Sequence, residues 1–311
     1  MKKVFIDGSS GTTGLRIRER LSKRGDLMLI NIPEELRKDP AAKADCINGA
    51  DIVFLCLPDA AAISDAELVK NENTVIIDTS TAHRTDSGWT YGFPEIAGLK
   101  KYIKDSKRIA NPGCHASGFI SLAAPLVENG IIKKDAFLNA FSLTGYSGGG
   151  KKMIEEYEAD GRDIRLDSPR MYGLTQMHKH LPEMAKISVL EKAPAFCPIV
   201  ADYYAGMEVV ITLDSSVLSI TGPDIKKQLE DLYAGYYENG LVRFVKDAGE
   251  NGFMAANSMA GRDDMEVTVL GNEERILLVS RFDNLGKGAS GAAIQNMNIC
   301  MGLDEKTGLN V

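Results

Sequence analysis

Val4-Phe5-Ile6-Asp7-Gly8-Ser9-Ser10-Gly11-Thr12-Thr13-Gly14-Leu15 passes from a short β-branched and aromatic run, through three glycines spaced three apart, into a charged stretch over residues 15–24 punctuated by Leu15 and Leu21. The order is strand, glycine turn, helix. In such a unit the glycines let the main chain approach a pyrophosphate, and the amides at the helix start meet its charge. The spacing is G-x-x-G-x-x-G rather than the commoner G-x-G-x-x-G, so taken alone it reads equally well as a tight turn without a ligand. Its place at the head of the chain, directly after a buried-looking strand, favours a dinucleotide site built from Gly8, Ser10, Gly11, Thr12, Thr13 and Gly14.

Outward from this stretch, residues 26–32 read as the second strand. They end in Asn31-Ile32-Pro33, where NAD-preferring folds commonly carry an acid for the ribose hydroxyls. Arg37 and Lys38 follow, suited either to a 2′-phosphate or to an ordinary solvated surface, and the reading leans to NADP. Residues 51–57 and 74–78 are near-continuous apolar runs with helix-prone residues 60–70 between them, the alternation of a parallel sheet with crossover helices. Leu57-Pro58 and Thr79-Ser80 close these runs, at the sheet end where open α/β folds bind ligands; Leu57 and Pro58 are assigned to the cofactor. Beyond residue 114 the pattern changes. Residues 137–144, 207–213, 241–246, 265–270 and 275–282 are strand-like, with Gly271-Asn272 as a hairpin turn. Residues 223–238 predict a helix that packs through Ile225, Leu229, Leu232 and Tyr236. The expected class is α/β: a Rossmann-type parallel-sheet cofactor domain plus an α+β domain on a mixed or antiparallel sheet.

A chain of 311 residues, 44% apolar and 25% charged, has room for two cored domains. Acidic residues outnumber basic ones by 43 to 36, a net charge of −7, with no basic patch, which argues against nucleic acid and anionic membranes as partners. Cysteines at 46, 56, 114, 197 and 300 are odd in number and form no CxxC pair, against a disulfide framework or a structural zinc site. There is no signal-like leader and no apolar run near the ~18–20 residues that span a bilayer. The expected compartment is the cytoplasm.

Asn111-Pro112-Gly113-Cys114 sets a cysteine on a turn before the helix-like residues 119–128, which stop at Asn129-Gly130. A cysteine at a helix N-terminus has its thiolate favoured by the unpaired amides there, so Cys114 is the expected nucleophile. The chain holds four histidines: His83, His115, His178 and His180. His178-Lys179-His180 puts two imidazoles on one face of a strand or extended loop, able to supply a base and a substrate contact; zinc would need a third ligand, and none has suitable spacing. Helix geometry directs His115 away from its neighbour Cys114. Gly145-Tyr146-Ser147-Gly148-Gly149-Gly150-Lys151 offers backbone amides to a phosphate or oxyanion but lacks Walker A spacing. Arg84 suits bidentate capture of a carboxylate or phosphate, or an ordinary salt bridge.

Gly8-x-x-Gly11-x-x-Gly14, Tyr91-Gly92-Phe93-Pro94-Glu95, Asn111-Pro112-Gly113-Cys114, Gly145-Tyr146-Ser147-Gly148, His178-Lys179-His180-Leu181-Pro182-Glu183 and Asp283-Asn284-Leu285-Gly286-Lys287-Gly288, in this order, resemble N-acetyl-gamma-glutamyl-phosphate reductases of the shorter form. His115-Ala116-Ser117 departs from the longer members, which carry an aromatic, then Pro or Ala, then Thr. The resemblance implies a fold like that of glyceraldehyde-3-phosphate and aspartate-semialdehyde dehydrogenases, with residues 1–113 and 287–311 binding the dinucleotide and residues 114–286 forming the catalytic and oligomerisation domain. It implies NADPH-dependent reduction of an acyl phosphate to an aldehyde in arginine biosynthesis, with phosphate released and a thioester on Cys114. It gives His180 the acid/base role and His178 a substrate contact, in either order. It assigns Asn284 to the nicotinamide carboxamide and Ser147 and Gly148 to phosphate or cofactor, on a homodimer or homotetramer. Arg84, Asn111 and Tyr146 are the expected substrate-binding residues. Two alternatives stand: an aspartate-semialdehyde dehydrogenase or other thiol-dependent acyl reductase, and a non-catalytic NADP-binding regulator.

Overall fold

The apolar runs of the first half become strands buried on both faces, as a parallel sheet under two helical layers requires. The computed structural model describes residues 1–96 and 98–311. It divides into two compact units, the first of Met1–Pro94, Gly98–Pro112 and Ala289–Leu309, the second of Glu95, Ile96, Gly113–Gly288 and Asn310–Val311. In chain order the first unit carries β1 (Lys2–Asp7), α1 (Thr12–Leu21), β2 (Leu27–Ile30), α2 (Pro40–Gly49), β3 (Ile52–Leu55), α3 (Asp59–Ala66), β4 (Val75–Asp78), β5 (Thr90–Tyr91), α4 (Leu99–Asp105) and β6 (Arg108–Ala110). The chain's last helix, Gly291–Cys300, returns to it.

The strand order is β2-β1-β3-β4-β6-β5, all parallel. β2 and β3 flank β1 on opposite sides, so the turn after β1 lies at the switch point of the sheet, where such folds open a crevice. Alternation divides the core. Val4, Ile6, Ile52, Phe54 and Ile77 pack with Ile17, Ile294 and Met297 on one face, while Phe5, Val53, Leu55 and Ile76 pack with Ile47 and Ala62 on the other. α1 starts inside the glycine turn, three residues before the expected stretch, because Gly14 is a helical residue pressed against the turn itself.

The second unit holds α5 (Cys114–Glu128), β7 (Asn139–Gly145), α6 (Gly150–Glu158), β8 (Arg170–Met171), α7 (Leu181–Ile187), β9 (Ala195–Ala201), β10 (Met207–Asp214), α8 (Ile225–Tyr236), β11 (Val242–Phe244), β12 (Met265–Gly271) and β13 (Arg275–Phe282). The sheet is mixed, in the order β11-β12-β13-β10-β7-β9-β8. β12 and β13 form the expected hairpin, which needs Gly271 at φ +92 because a Cβ there would meet the Arg275 oxygen at 2.1 Å. β9 had no sequence signal, since Pro198 sits in its middle; the strand tolerates it because Pro198 uses its carbonyl, which accepts the Tyr172 N–H at 2.9 Å. α8 is shorter than expected and its packing face centres on Leu229 and Tyr233, with Ile225, Leu232 and Tyr236 half-buried beside them. The inner sheet face meets α5. Gly118 lies so near Val209 that a Cβ would come within 2.4 Å of it, and Ser280 Oγ donates to the Gly118 carbonyl at 3.2 Å.

Candidate active site

α5 is buried along almost its whole length, and its first residue, Cys114, keeps partial exposure. Its cap, Gly113, contributes no side chain. The Gly113 N–H instead donates to Glu183 Oε2 at 3.2 Å. Glu183 is 1% exposed and stands in the first turn of α7, whose cap is His180. Its other oxygen, Oε1, lies 3.9 Å from His180 Nε2, a charge contact rather than a hydrogen bond. One buried carboxylate therefore serves both the residue before the cysteine and the expected acid/base. Room for the thiol depends on Gly288, where a Cβ would come within 3.0 Å of Cys114 Cβ.

The loop before α7 brings the expected pair together. The His178 and His180 ring centroids are 4.8 Å apart at 87°, and the His180 N–H donates to His178 Nδ1 at 3.2 Å. Accepting at Nδ1 makes His178 the Nε2–H tautomer. Burial, with Lys179 adding to it, lowers its pKa to about 4. His115 joins the same cluster, 5.6 Å from each of these rings. Nδ1 is 2.7 Å from Ser142 Oγ and Nε2 is 2.5 Å from the Tyr172 hydroxyl. Burial above all, then His178 and Lys179, lowers its pKa to about 3. Ser142 and Tyr172 carried no sequence signal, and Glu183 only its place in a motif. Among the described residues no group of three or more His, Cys, Asp or Glu side chains could hold a metal ion.

Asn284 and Ser147 are each 1% exposed and bonded to one another, Asn284 Nδ2 donating to Ser147 Oγ at 3.1 Å, while the Gly206 N–H donates to Asn284 Oδ1 at 2.9 Å. Gly148 is adjacent, a Cβ there falling 3.4 Å from Asn284 Nδ2. Tyr146 stacks on Tyr157 at 4.7 Å and directs its hydroxyl to Glu158 at 3.3 Å. Lys287 and Glu95 form an ion pair in which both side chains are 2% exposed, with the Lys287 Nζ 2.8 Å from each oxygen, and Glu95 also accepts the Leu241 N–H.

In the first unit Arg84 spends two donors on main-chain oxygens, Nε on Asn111 and Nη2 on Thr79, each at 3.0 Å. Asn111 donates from Nδ2 to the Ala289 oxygen at 3.1 Å and accepts at Oδ1 from Asn296 Nδ2 at 3.2 Å. The turn after β1 fits a pyrophosphate. Gly8 has φ +79, and a Cβ on it would lie 2.2 Å from the Cys56 oxygen; a Cβ on Gly14 would lie 2.4 Å from the Gly8 oxygen. Gly11 caps α1 without a side-chain acceptor, so the first-turn amides remain for a ligand. Beside this turn a cavity of about 560 Å³ is lined by Gly8, Ser9, Ser10 and Leu57, and by Arg18, Asn31, Arg37 and Lys38. Lys43 reaches into it from Asp7 at 3.1 Å and Asp65 at 2.5 Å. Burial pulls the Lys43 pKa down, and the two carboxylates outweigh it and hold the ammonium above its ordinary value. Burial, with Asp65 beside it, raises Asp7 to about 6.

Residues 114–284 match the model of the semialdehyde dehydrogenase dimerisation domain, and residues 27–104 that of the semialdehyde dehydrogenase NAD binding domain. An N-acetyl-gamma-glutamyl-phosphate reductase of Chelativorans sp. is 43% identical over 96% of this chain and 98% of its own. The chain belongs to the N-acetyl-gamma-glutamyl-phosphate reductase family. A reductase of Mesorhizobium japonicum is also 43% identical, over 97% and 99% of the two chains, and a Nostoc sp. N-acetyl-gamma-glutamyl-phosphate reductase 2 is 39% identical over 99% of each. Aspartate semialdehyde dehydrogenase from Francisella tularensis superposes with a TM-score of 0.71 at 15% identity, covering 97% of this chain and all of that one. That enzyme from Vibrio cholerae, complexed with ASA, gives 0.69 at 16%, covering 97% and 98%. The chain thus shares its fold with the aspartate semialdehyde dehydrogenases, while its sequence lies with the N-acetyl-gamma-glutamyl-phosphate reductases.

Proposed function

We propose that the protein reduces N-acetyl-γ-glutamyl phosphate to N-acetylglutamate 5-semialdehyde with NADPH, releasing phosphate, as a step of arginine biosynthesis in the cytoplasm. The observation that carries the mechanism is Glu183, joined on one oxygen to the Gly113 amide and facing His180 with the other. Cys114 Sγ, favoured as thiolate by the start of α5, attacks the acyl carbon; the C–O bond to phosphate breaks and a thioester forms. His180 takes the thiol proton, and the Glu183 carboxylate favours the resulting imidazolium. NADPH, when bound, would supply the hydride that reduces the thioester, and the His180 imidazolium gives its proton to the resulting oxyanion, leaving a hemithioacetal and a neutral imidazole. His180 then removes the hemithioacetal hydroxyl proton as the C–S bond breaks, returning the thiolate and the aldehyde. His178, neutral by burial, serves as a donor to the substrate through Nε2.

The glycine turn holds the pyrophosphate, and Arg37 and Lys38, joined by Arg18, meet the 2′-phosphate, with Arg37 also paired to Glu34 of the same cavity at 2.8 Å; Asn31, not an acid, follows β2 directly. The outer face of the mixed sheet presents Phe141 (42% exposed) and Leu277 (37%), with Cys197 and Val210 half-buried beside them, a surface for a second copy in a homodimer or homotetramer. The five cysteines are free thiols, suited to a reducing compartment, and among the described residues no helix is long and apolar enough to cross a membrane.

The test follows NADP reduction with N-acetylglutamate semialdehyde and phosphate, the reverse direction. Wild type gives an absorbance gain, and Cys114→Ser lowers kcat by about 10³-fold or more. No gain with wild type, or an undiminished rate in the variant, defeats the proposal; a gain with aspartate semialdehyde alone transfers it to the runner-up.

A further inference from the structure

His115 is bonded at both ring nitrogens, and its two partners differ in what they can do with a proton. Ser142 is fully buried on the inner face of β7, and among the described residues His115 Nδ1 is its hydroxyl's one hydrogen-bonding neighbour. A buried hydroxyl proton without an acceptor is costly. Ser142 therefore donates to Nδ1, and the neutral imidazole carries its proton on Nε2. Nε2–H then donates to the Tyr172 oxygen, 2.5 Å away. With its oxygen already accepting, Tyr172 is left with a phenolic proton that points away from His115, and Tyr172 is half-buried rather than sealed in.

That proton lies within the reacting cluster. The Tyr172 ring is 6.0 Å from His115 and 5.9 Å from His178, and Phe196 packs edge-on against His115 at 5.3 Å. Tyr172 also feels Cys114: burial first, and then a Cys114 thiolate, push the phenol pKa well above its ordinary value, so it stays protonated and a donor at any working pH. His115, bonded at both ring nitrogens, links Ser142 and Tyr172 in one donor–acceptor chain.

We infer that Ser142 and His115 act as positioning residues that lock the Tyr172 hydroxyl as a hydrogen-bond donor to the carbonyl oxygen of the acyl group on Cys114. The inference rests on the thioester reading above. As the C–S bond forms, the carbonyl π pair moves onto oxygen; the Tyr172 O–H bonds that oxyanion without giving up its proton, and the pair returns as the phosphate leaves. The same contact serves the oxygen during reduction of the thioester.

Two measurements decide it. In wild-type protein labelled with ¹⁵N-histidine, His115 should give the Nε2–H neutral tautomer with Nδ1 unprotonated, unchanged down to about pH 5; an Nδ1–H tautomer, or an imidazolium at that pH, overturns the inference without any variant having to fold. In the reverse assay Tyr172→Phe should lower kcat by about 10²-fold, with KM for the aldehyde within about threefold. His115→Leu should match it, and His115→Gln, whose amide N–H replaces Nε2–H, should recover most of the loss. A Tyr172→Phe enzyme with wild-type kcat, or equal losses in the Leu and Gln variants, overturns it. Inactivity of wild type itself would instead defeat the thioester reading.

Discussion

In the first unit, the turn after β1 is shaped by atoms that are missing: Gly8 and Gly14 bring main chain within 2.2 to 2.4 Å of where a methyl group would stand, and what the turn has to offer is main-chain amides. The turn before α5 is shaped by side chains that are present and wholly or half buried, with Glu183 on the Gly113 amide and His180, His178, His115, Ser142 and Tyr172 linked to one another beside it. The first kind of site tolerates loss of side-chain charge and fails on added volume. The second behaves the other way round, because each buried polar group is the partner of another and removing one strands its neighbour.

Of the substitutions that set the two turns against each other, the largest effect should therefore come from a single methyl. Gly8→Ala forces a left-handed residue against the Cys56 oxygen and should cost about 2–4 kcal/mol, read as a 30- to 1000-fold or so weaker NADP binding or an equivalent loss of stability in that unit. Gly11→Ala, where the added carbon would sit at an ordinary 3.5 Å from the Gly8 oxygen, should bind NADP within about threefold of wild type. Equal effects of the two would mean that the turn is not shaped by contact. In the second unit Glu183→Gln adds no volume and keeps a Gly113 acceptor but removes the charge facing His180; kcat in the reverse assay should fall by about 10²-fold. A wild-type pH–rate profile in this variant would break the contrast.

Smaller effects sharpen it. Arg37→Ala with Lys38→Ala should raise KM for NADP by about 10-fold and leave NAD unchanged, since exposed charges beside a cavity contribute modestly. The smallest effect is a slope. His115 has its pKa lowered to about 3 from the ordinary 6.5, so between those values the unfolded chain holds a proton that the native state refuses. Its contribution to stability is complete above about pH 6.5 and is lost as pH falls, by up to about 1.4 kcal/mol per unit. Asp7, raised to about 6, and Glu208, raised to about 7, work in the opposite sense, their native forms holding protons the unfolded chain has lost. The observable is thus a difference: urea unfolding of His115→Phe against wild type at about pH 7.5, 6 and 5 should show the variant gaining relative stability toward acid. Parallel curves would mean that His115 is not held neutral.

Local chemistry made much of the first unit legible. Apolar runs at parallel-sheet spacing, three glycines after the first of them and Asn31 at the close of the second are statements about neighbours in the chain, whereas the strand order belongs to the fold. In the second unit Cys114 could be read because its turn and its helix are contiguous, and the His178–His180 pair because a single residue separates them. Glu183 was visible as a motif letter, without its bond to Gly113, since the carboxylate and that amide are 70 residues apart. β9 stayed hidden behind Pro198 and carries Phe196 into the cluster. Ser142 and Tyr172 are ordinary residues in sequence, and burial against His115 is what fixes their protons. The sequence by itself determined the fold class, and it marked Cys114 and the glycine turn as the expected nucleophile and cofactor turn, because each of these signals lies within one turn's reach of the chain. Only the tertiary structure decided which side chains share the thiol's surroundings and in which protonation state, because desolvation and hydrogen-bond satisfaction belong to the packed interior.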